Sequence, residues 1–158
     1  MIKKILFLCT QNSARSQMAE AIVNSKAKDK FLAYSAGSNP ADKINPYAVA
    51  VMEEIGIDMS NRKPKSVMNF IDEEYDFIIT LCDKMKDECP RVTNDAIHVH
   101  WGISDPKDFQ GNDEDKKTYF KKIRNELNRR IELLIALPLD KIEKAAVKQK
   151  LEDIIKDL

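Results

Sequence analysis

Residues 3–21 read KKILFLCTQNSARSQMAEA, and the fold turns on where that run breaks. Lys3–Cys9 is short and continuously apolar from Ile5 to Leu8, the pattern of a strand buried on both faces. Residues 16–27 instead space Met18, Ala21, Ile22 and Ser25 three and four apart, as a helix does. The stretch from Thr10 to Arg15 is then the turn from strand into helix. Such a turn aims several backbone N–H groups at one point, and the helix dipole adds positive potential there. Neither Cys9 nor Arg15 suits packing at that place. A positive field favours the nucleophilic thiolate of Cys9. Arg15, with two parallel N–H groups, grips a tetrahedral oxyanion better than lysine would. Ser16 can donate a hydrogen bond to the thiolate, and Asn12 tolerates the backbone angle that lets the loop curl. The candidate oxyanion cradle is therefore Thr10, Gln11, Asn12, Ser13, Ala14, Arg15 and Ser16, with Cys9 at its base.

Outward from this stretch the alternation continues. Residues 31–37 (FLAYSAG), 75–82 (YDFIITLC) and 95–101 (DAIHVHW) read as further strands. A helix opens at Asn45-Pro46, where proline suits the first turn, and Gly56 ends it. A long helix from Asp113 carries Tyr119, Phe120, Ile123, Leu127, Ile131 and Leu134 on one stripe. Strands alternating with helices predict an α/β fold: three layers, a four-stranded parallel sheet with helices on both faces. In such sheets ligands sit beyond the carboxyl ends of the strands, where Cys9 and Cys82 both fall. Residues 1–137 make one domain. Residues 138–158 make an appended amphipathic helix, with Ile142, Ala146, Leu151, Ile154 and Ile155 at helical spacing, that packs on the domain or on a second copy.

The bulk composition narrows the classes. At 158 residues the chain is long enough for a real core, and 26 basic residues balance 26 acidic ones. Zero net charge gives no global steering toward nucleic acid or membrane, so anion binding must be local. The apolar run before Cys9 is too short for a signal core, and no stretch approaches the roughly 20 apolar residues that cross a bilayer. A cytoplasmic chain is expected. In a reducing compartment its three cysteines point to catalytic or redox use rather than structural bridges. His98 and His100 share a strand face but find no third ligand, so no metal is expected; they and Trp101 read as ordinary strand or wall residues. Asp108 and Asp113 read as solvated loop.

The segment CTQNSARSQMAEA resembles the active-site loop of the low-molecular-weight protein tyrosine phosphatase superfamily, and within it the thioredoxin-coupled arsenate reductases. The similarity spans roughly residues 3 to 135 and includes YSAG (34–37), NP (45–46), LC (81–82), CP (89–90) and HWGISDP (100–106). It implies a thiol relay without a bound cofactor. Cys9 attacks arsenate while Asp105 protonates the departing oxygen; Cys82 attacks Cys9, releasing arsenite; Cys89 attacks Cys82, and thioredoxin reduces the Cys82–Cys89 bridge. If residues 82–89 were helical, the implied pair would stand about 10.5 Å apart at the α-carbons. A disulfide needs roughly 4.4–6.8 Å, so the oxidised segment is expected to unwind.

Two other readings fit the loop: a phosphatase acting on phosphomonoesters, and a non-enzymatic oxyanion sensor using the last helix. The reductase reading is favoured because a phosphatase has no use for Cys82 and Cys89. Phosphatases of this superfamily also place an aromatic residue after Asp-Pro, where this chain has Lys107-Asp108. Glutaredoxin or a mycothiol-like donor are alternatives to thioredoxin. A monomer is expected, with the last helix available for self-association.

The chain departs from its relatives at three places. Gln11 stands where many have glycine, Ala14 where many reductases carry another cysteine, and the aspartate of a potassium site is missing near Lys65. Asn12, Glu20 and Ser35 match the other ligands of that site, and a lysine ammonium can take the cation's place. No bound potassium is expected.

Overall fold

The computed structural model describes residues 2–83 and 95–157. Four strands, β1 (Lys3–Cys9), β2 (Phe31–Gly37), β3 (Phe77–Thr80) and β4 (Ile97–His100), form one parallel sheet in the order β2-β1-β3-β4. Helices α1 (Arg15–Lys26), α2 (Pro46–Glu53), α3 (Asp113–Ala136) and α4 (Lys144–Ile154) cover it. Side chains of Ile5, Leu6, Phe7 and Leu8 are all fully buried. Successive strand residues point to opposite faces, so both faces of the sheet must be covered. This is the expected three-layer α/β architecture.

The order places β1 in the middle. From β1 the chain passes to β2 on one side and later to β3 on the other, so the strand order reverses at the carboxyl end of β1. In open α/β sheets ligands bind beyond the carboxyl ends of the strands at such a reversal, and Cys9 is the last residue of β1.

The elements end close to where sequence pattern puts them. Strand β3 stops at Thr80 rather than at 82, although the Leu81 amide still donates to Leu8 O (2.8 Å) and Leu81 O accepts from Ile103 N (2.8 Å). Cys82 is thereby the first residue past the paired backbone. In α3 the expected stripe is buried from Phe120 to Leu134, joined by Arg130, while Tyr119 is only half-buried. Asp113 is not solvated loop: it opens α3, and its Oδ1 accepts a 2.5 Å hydrogen bond from Tyr47 Oη. That bond, with some burial, raises the Tyr47 pKa. Asp108 does lie exposed, in a single 3-10 turn, Pro106–Asp108.

After α3, Leu139–Lys141 forms a 3-10 turn before α4. Helix α4 buries Val147, Leu151 and Ile154 against β4 and α3; Ala146, expected on the inner face, is exposed. The helix begins only at Lys144, and from there the 147-151-154 spacing sets the inner stripe. Trp101 is fully buried against Phe7, with ring centroids 6.4 Å apart, and its Nε1 donates to Leu151 O (3.0 Å). The last helix thus closes over the wall behind the site.

Candidate active site

The loop from Thr10 to Ala14 is curled by three outward hydrogen bonds. Thr10 O accepts from Asn39 N (2.8 Å), Gln11 O from Ala41 N (3.0 Å) and Ser13 O from Asn45 N (2.9 Å). A trans peptide points its N–H opposite to its carbonyl, so the amides of residues 11, 12 and 14 turn the other way. The Asn12 amide is aimed at Cys9 Sγ, at 3.3 Å. Asn12 alone among the described non-glycine residues has positive φ, 52°, the left-handed angle asparagine tolerates best. Gln11 avoids that angle and carries no such strain.

Asn12 is fully buried and pins the curl from three directions. Its Nδ2 donates to Ser16 Oγ (2.8 Å), and its Oδ1 accepts from Gln17 Nε2 (2.8 Å) and from the Lys65 amide (2.8 Å). Gly37 sits beneath the loop opposite Cys9, where a Cβ would come within 2.4 Å of Thr10 O; no side chain fits there. Ala14 caps α1 without any side-chain bond, which leaves the helix N-terminus to the cradle.

Around this cradle the structure gathers most of the sequence-predicted residues. Cys9 Sγ, almost wholly buried, is hydrogen-bonded to Ser16 Oγ at 2.8 Å. Arg15 is buried, with Nη1 donating to Ile103 O (3.0 Å) and Nη2 lying 3.3 Å from Asp105 Oδ2. Asp105 caps the turn of residues 106–108, its Oδ1 accepting from Lys107 N (3.0 Å). Cys82 is buried and free, and its Sγ is hydrogen-bonded to Thr10 Oγ1 at 3.2 Å, beside the residue that follows Cys9. Cys89, and with it the expected unwinding of 82–89, lies outside the described residues.

Beneath the loop, Asn12, Glu20 and Ser35 do converge. Ser35 Oγ donates to Glu20 Oε1 (3.1 Å), and the Lys65 ammonium donates to the same oxygen at 2.7 Å, while Arg62 pairs with Oε2. Two cations on one buried carboxylate leave net positive charge under the cradle, which favours an anion above. The two histidines have different surroundings. His98 is exposed, whereas His100 Nδ1 is hydrogen-bonded to Thr80 Oγ1 (2.7 Å) and Nε2 to Asp83 Oδ1 (3.0 Å). No cluster of three or more metal-ligating side chains occurs among the described residues.

Sequence pattern missed the buttress of the acid loop. Arg130 is buried in α3; its Nη1 donates to Trp101 O and Gly102 O, and Nη2 to Glu126 Oε1 (2.6 Å). Burial pushes its pKa below the usual arginine value while Glu126 opposes the shift. Only the apolar stripe around Arg130 hinted at its burial. Replacing Arg130 by methionine strands two buried carbonyls and should cost about 2 kcal/mol, read as a lower denaturation midpoint in urea. The nearest aromatic after the acid is Phe109, half-buried. It stacks on Tyr119 with centroids 4.6 Å apart and planes 10° from parallel.

Known proteins resemble this chain in sequence and in fold. The family model for low molecular weight phosphotyrosine protein phosphatase matches residues 4–151, further into the tail than the sequence motifs reach. An arsenate reductase of Halalkalibacterium halodurans is 41% identical over 82% of this chain and 92% of its own length, and one of Bacillus subtilis is 40% identical over the same shares. A solved arsenate reductase in its oxidized state superposes with a TM-score of 0.72, at 32% identity over 85% of this chain and 98% of that one. Another, in the phosphate binding state, gives 0.67 at 31% identity over the same shares. No helix among the described residues is long and apolar enough to cross a membrane. With a parallel sheet in the order β2-β1-β3-β4 and a match over nearly the whole chain, this protein belongs to the low molecular weight phosphotyrosine protein phosphatase family.

Proposed function

We propose that this chain reduces arsenate to arsenite through its three cysteines, with electrons from thioredoxin. The observation that carries the reading is Cys82, buried as a free thiol against Thr10 of the cradle. Hydrolysis of a phosphoester has no use for a second sulfur there. The named reductases among the relatives support the same choice.

Arsenate enters above Cys9, held by the loop amides, the α1 N-terminus and Arg15. The Cys9 thiolate bonds to arsenic while one oxygen leaves with a proton from Asp105, so that water departs. Cys82, as thiolate, attacks the Cys9 sulfur. The new S–S bond forms as the S–As electron pair passes to arsenic, and arsenite leaves. Cys89 then attacks Cys82, frees the Cys9 thiolate and leaves a Cys82–Cys89 disulfide. Two thiols lose two electrons and arsenic gains two. A dithiol donor of the thioredoxin kind returns them. Lys65 takes the role a bound cation plays in relatives, holding Glu20 and, through its amide, Asn12.

Cys9, Arg15 and Asp105 also suffice for slow hydrolysis of phosphomonoesters, and residual phosphatase activity belongs to this reading. The chain acts as a cytoplasmic monomer whose residues 138–158 serve their own domain; the burial of Val147, Leu151 and Ile154 within the chain supports this. The test is arsenite production with thioredoxin, its reductase and NADPH. Continuous turnover is expected with the full system, and at most one arsenite per chain without thioredoxin. Hydrolysis of an aryl phosphate with no arsenite in either mixture returns the site to phosphatase chemistry.

A further inference from the structure

We propose that Lys107 and Gln11 form a clasp across the mouth of the cradle that selects bare oxyanions over phosphoesters, an inference that rests on the reductase reading of the same site. Lys107 Nζ donates to Gln11 Oε1 at 2.8 Å. The acid loop therefore meets the cradle loop at both ends. Ile103 and Asp105 hold Arg15, where the loop enters α1, and Lys107 holds Gln11, two residues after Cys9.

The position of the acid makes this clasp selective. Whatever oxygen leaves must lie against Asp105 to take its proton. In arsenate that oxygen carries only hydrogen. In an aryl phosphate it carries the ring, which has to extend past Asp105. Lys107 lies there, its amide bonded to Asp105 Oδ1 at 3.0 Å and its exposed ammonium to Gln11. A ring must open the clasp, whereas a bare oxyanion need not, and it also gains a cation at the rim. Neither partner is apolar, so the clasp offers a ring no replacement surface. Phe109 is stacked on Tyr119 instead.

The experiment measures kcat/KM for p-nitrophenyl phosphate multiplied by the inhibition constant of inorganic phosphate. In that product the loss of a charge felt equally by both anions cancels. Lys107→Ala and Gln11→Ala should each raise it about tenfold, the scale of one obstructing group in a pocket. The double variant should gain no more than either single one, because the two side chains act as a unit. Lys107→Arg, which keeps a donor for Gln11, should stay near wild type. Single variants within twofold of wild type, or a double variant equal to the product of the singles, would overturn the clasp. Arsenite production by wild type with thioredoxin is scored separately, so loss of the reductase reading leaves this product measurable and decisive.

Discussion

Cys9→Ser should lose arsenite formation and ester hydrolysis together, each by about 10⁴-fold or more, the scale of losing a nucleophile. The argument is chemical rather than steric. Serine adds no bulk, and its hydroxyl can keep the 2.8 Å bond to Ser16 and accept from the Asn12 amide. What disappears is a group that ionises readily at neutral pH and can later be attacked at sulfur. Oxyanion affinity is supplied by amides, the helix end and Arg15, so phosphate titrated by calorimetry should still bind to the variant. Loss of binding along with activity would instead mean that the sulfur helps shape the cradle.

Cys82→Ser should separate the two chemistries. In the proposed relay attack on Cys9 by a second thiol expels arsenite, so the variant should yield none, neither a first equivalent nor steady turnover. Hydrolysis of p-nitrophenyl phosphate needs water in place of that thiol and should remain within a few-fold of wild type. Cys89→Ser should behave differently again. One equivalent of arsenite should appear, followed by arrest with Cys9 and Cys82 joined. Counting arsenite per chain in the absence and presence of thioredoxin distinguishes all three proteins. If Cys82→Ser impaired ester and arsenate turnover equally, its sulfur would be a packing element of the Thr10 contact rather than an electron carrier.

The parts of this site that were legible in the sequence are the local ones. An apolar run ending at Cys9, a polar turn and a periodic helix after it lie consecutively, and the strand and helix follow from spacing alone. Asn12 was singled out for its tolerance of a left-handed angle, and φ of 52° is what it adopts. Asp105 came from the resemblance that HWGISDP carries rather than from any local period. The parts that escaped are long-range bonds from a side chain to another loop. Lys107 meets Gln11 across 96 residues, and Arg130 reaches carbonyls 28 and 29 residues before it. Neither contact leaves a period or a motif, because the partners meet only once the sheet has brought the loops to one edge. Asp113 was misread for the same reason: nothing near it in sequence discloses Tyr47, 66 residues away. On the inner face of α4 Leu151 and Ile154 fall where the spacing puts them, while Val147 takes the place expected of Ala146.

The central claim is that electrons reach the bound anion from sulfur, the resulting oxidation passing outward from Cys9 to Cys82 to Cys89. Reduced protein can be given one equivalent of arsenate without thioredoxin, trapped with an alkylating agent and digested for mass spectrometry. The account expects arsenite in the supernatant, Cys82 linked to Cys89, and Cys9 alkylated as a free thiol. Arsenite released while Cys82 and Cys89 are both recovered alkylated would contradict it.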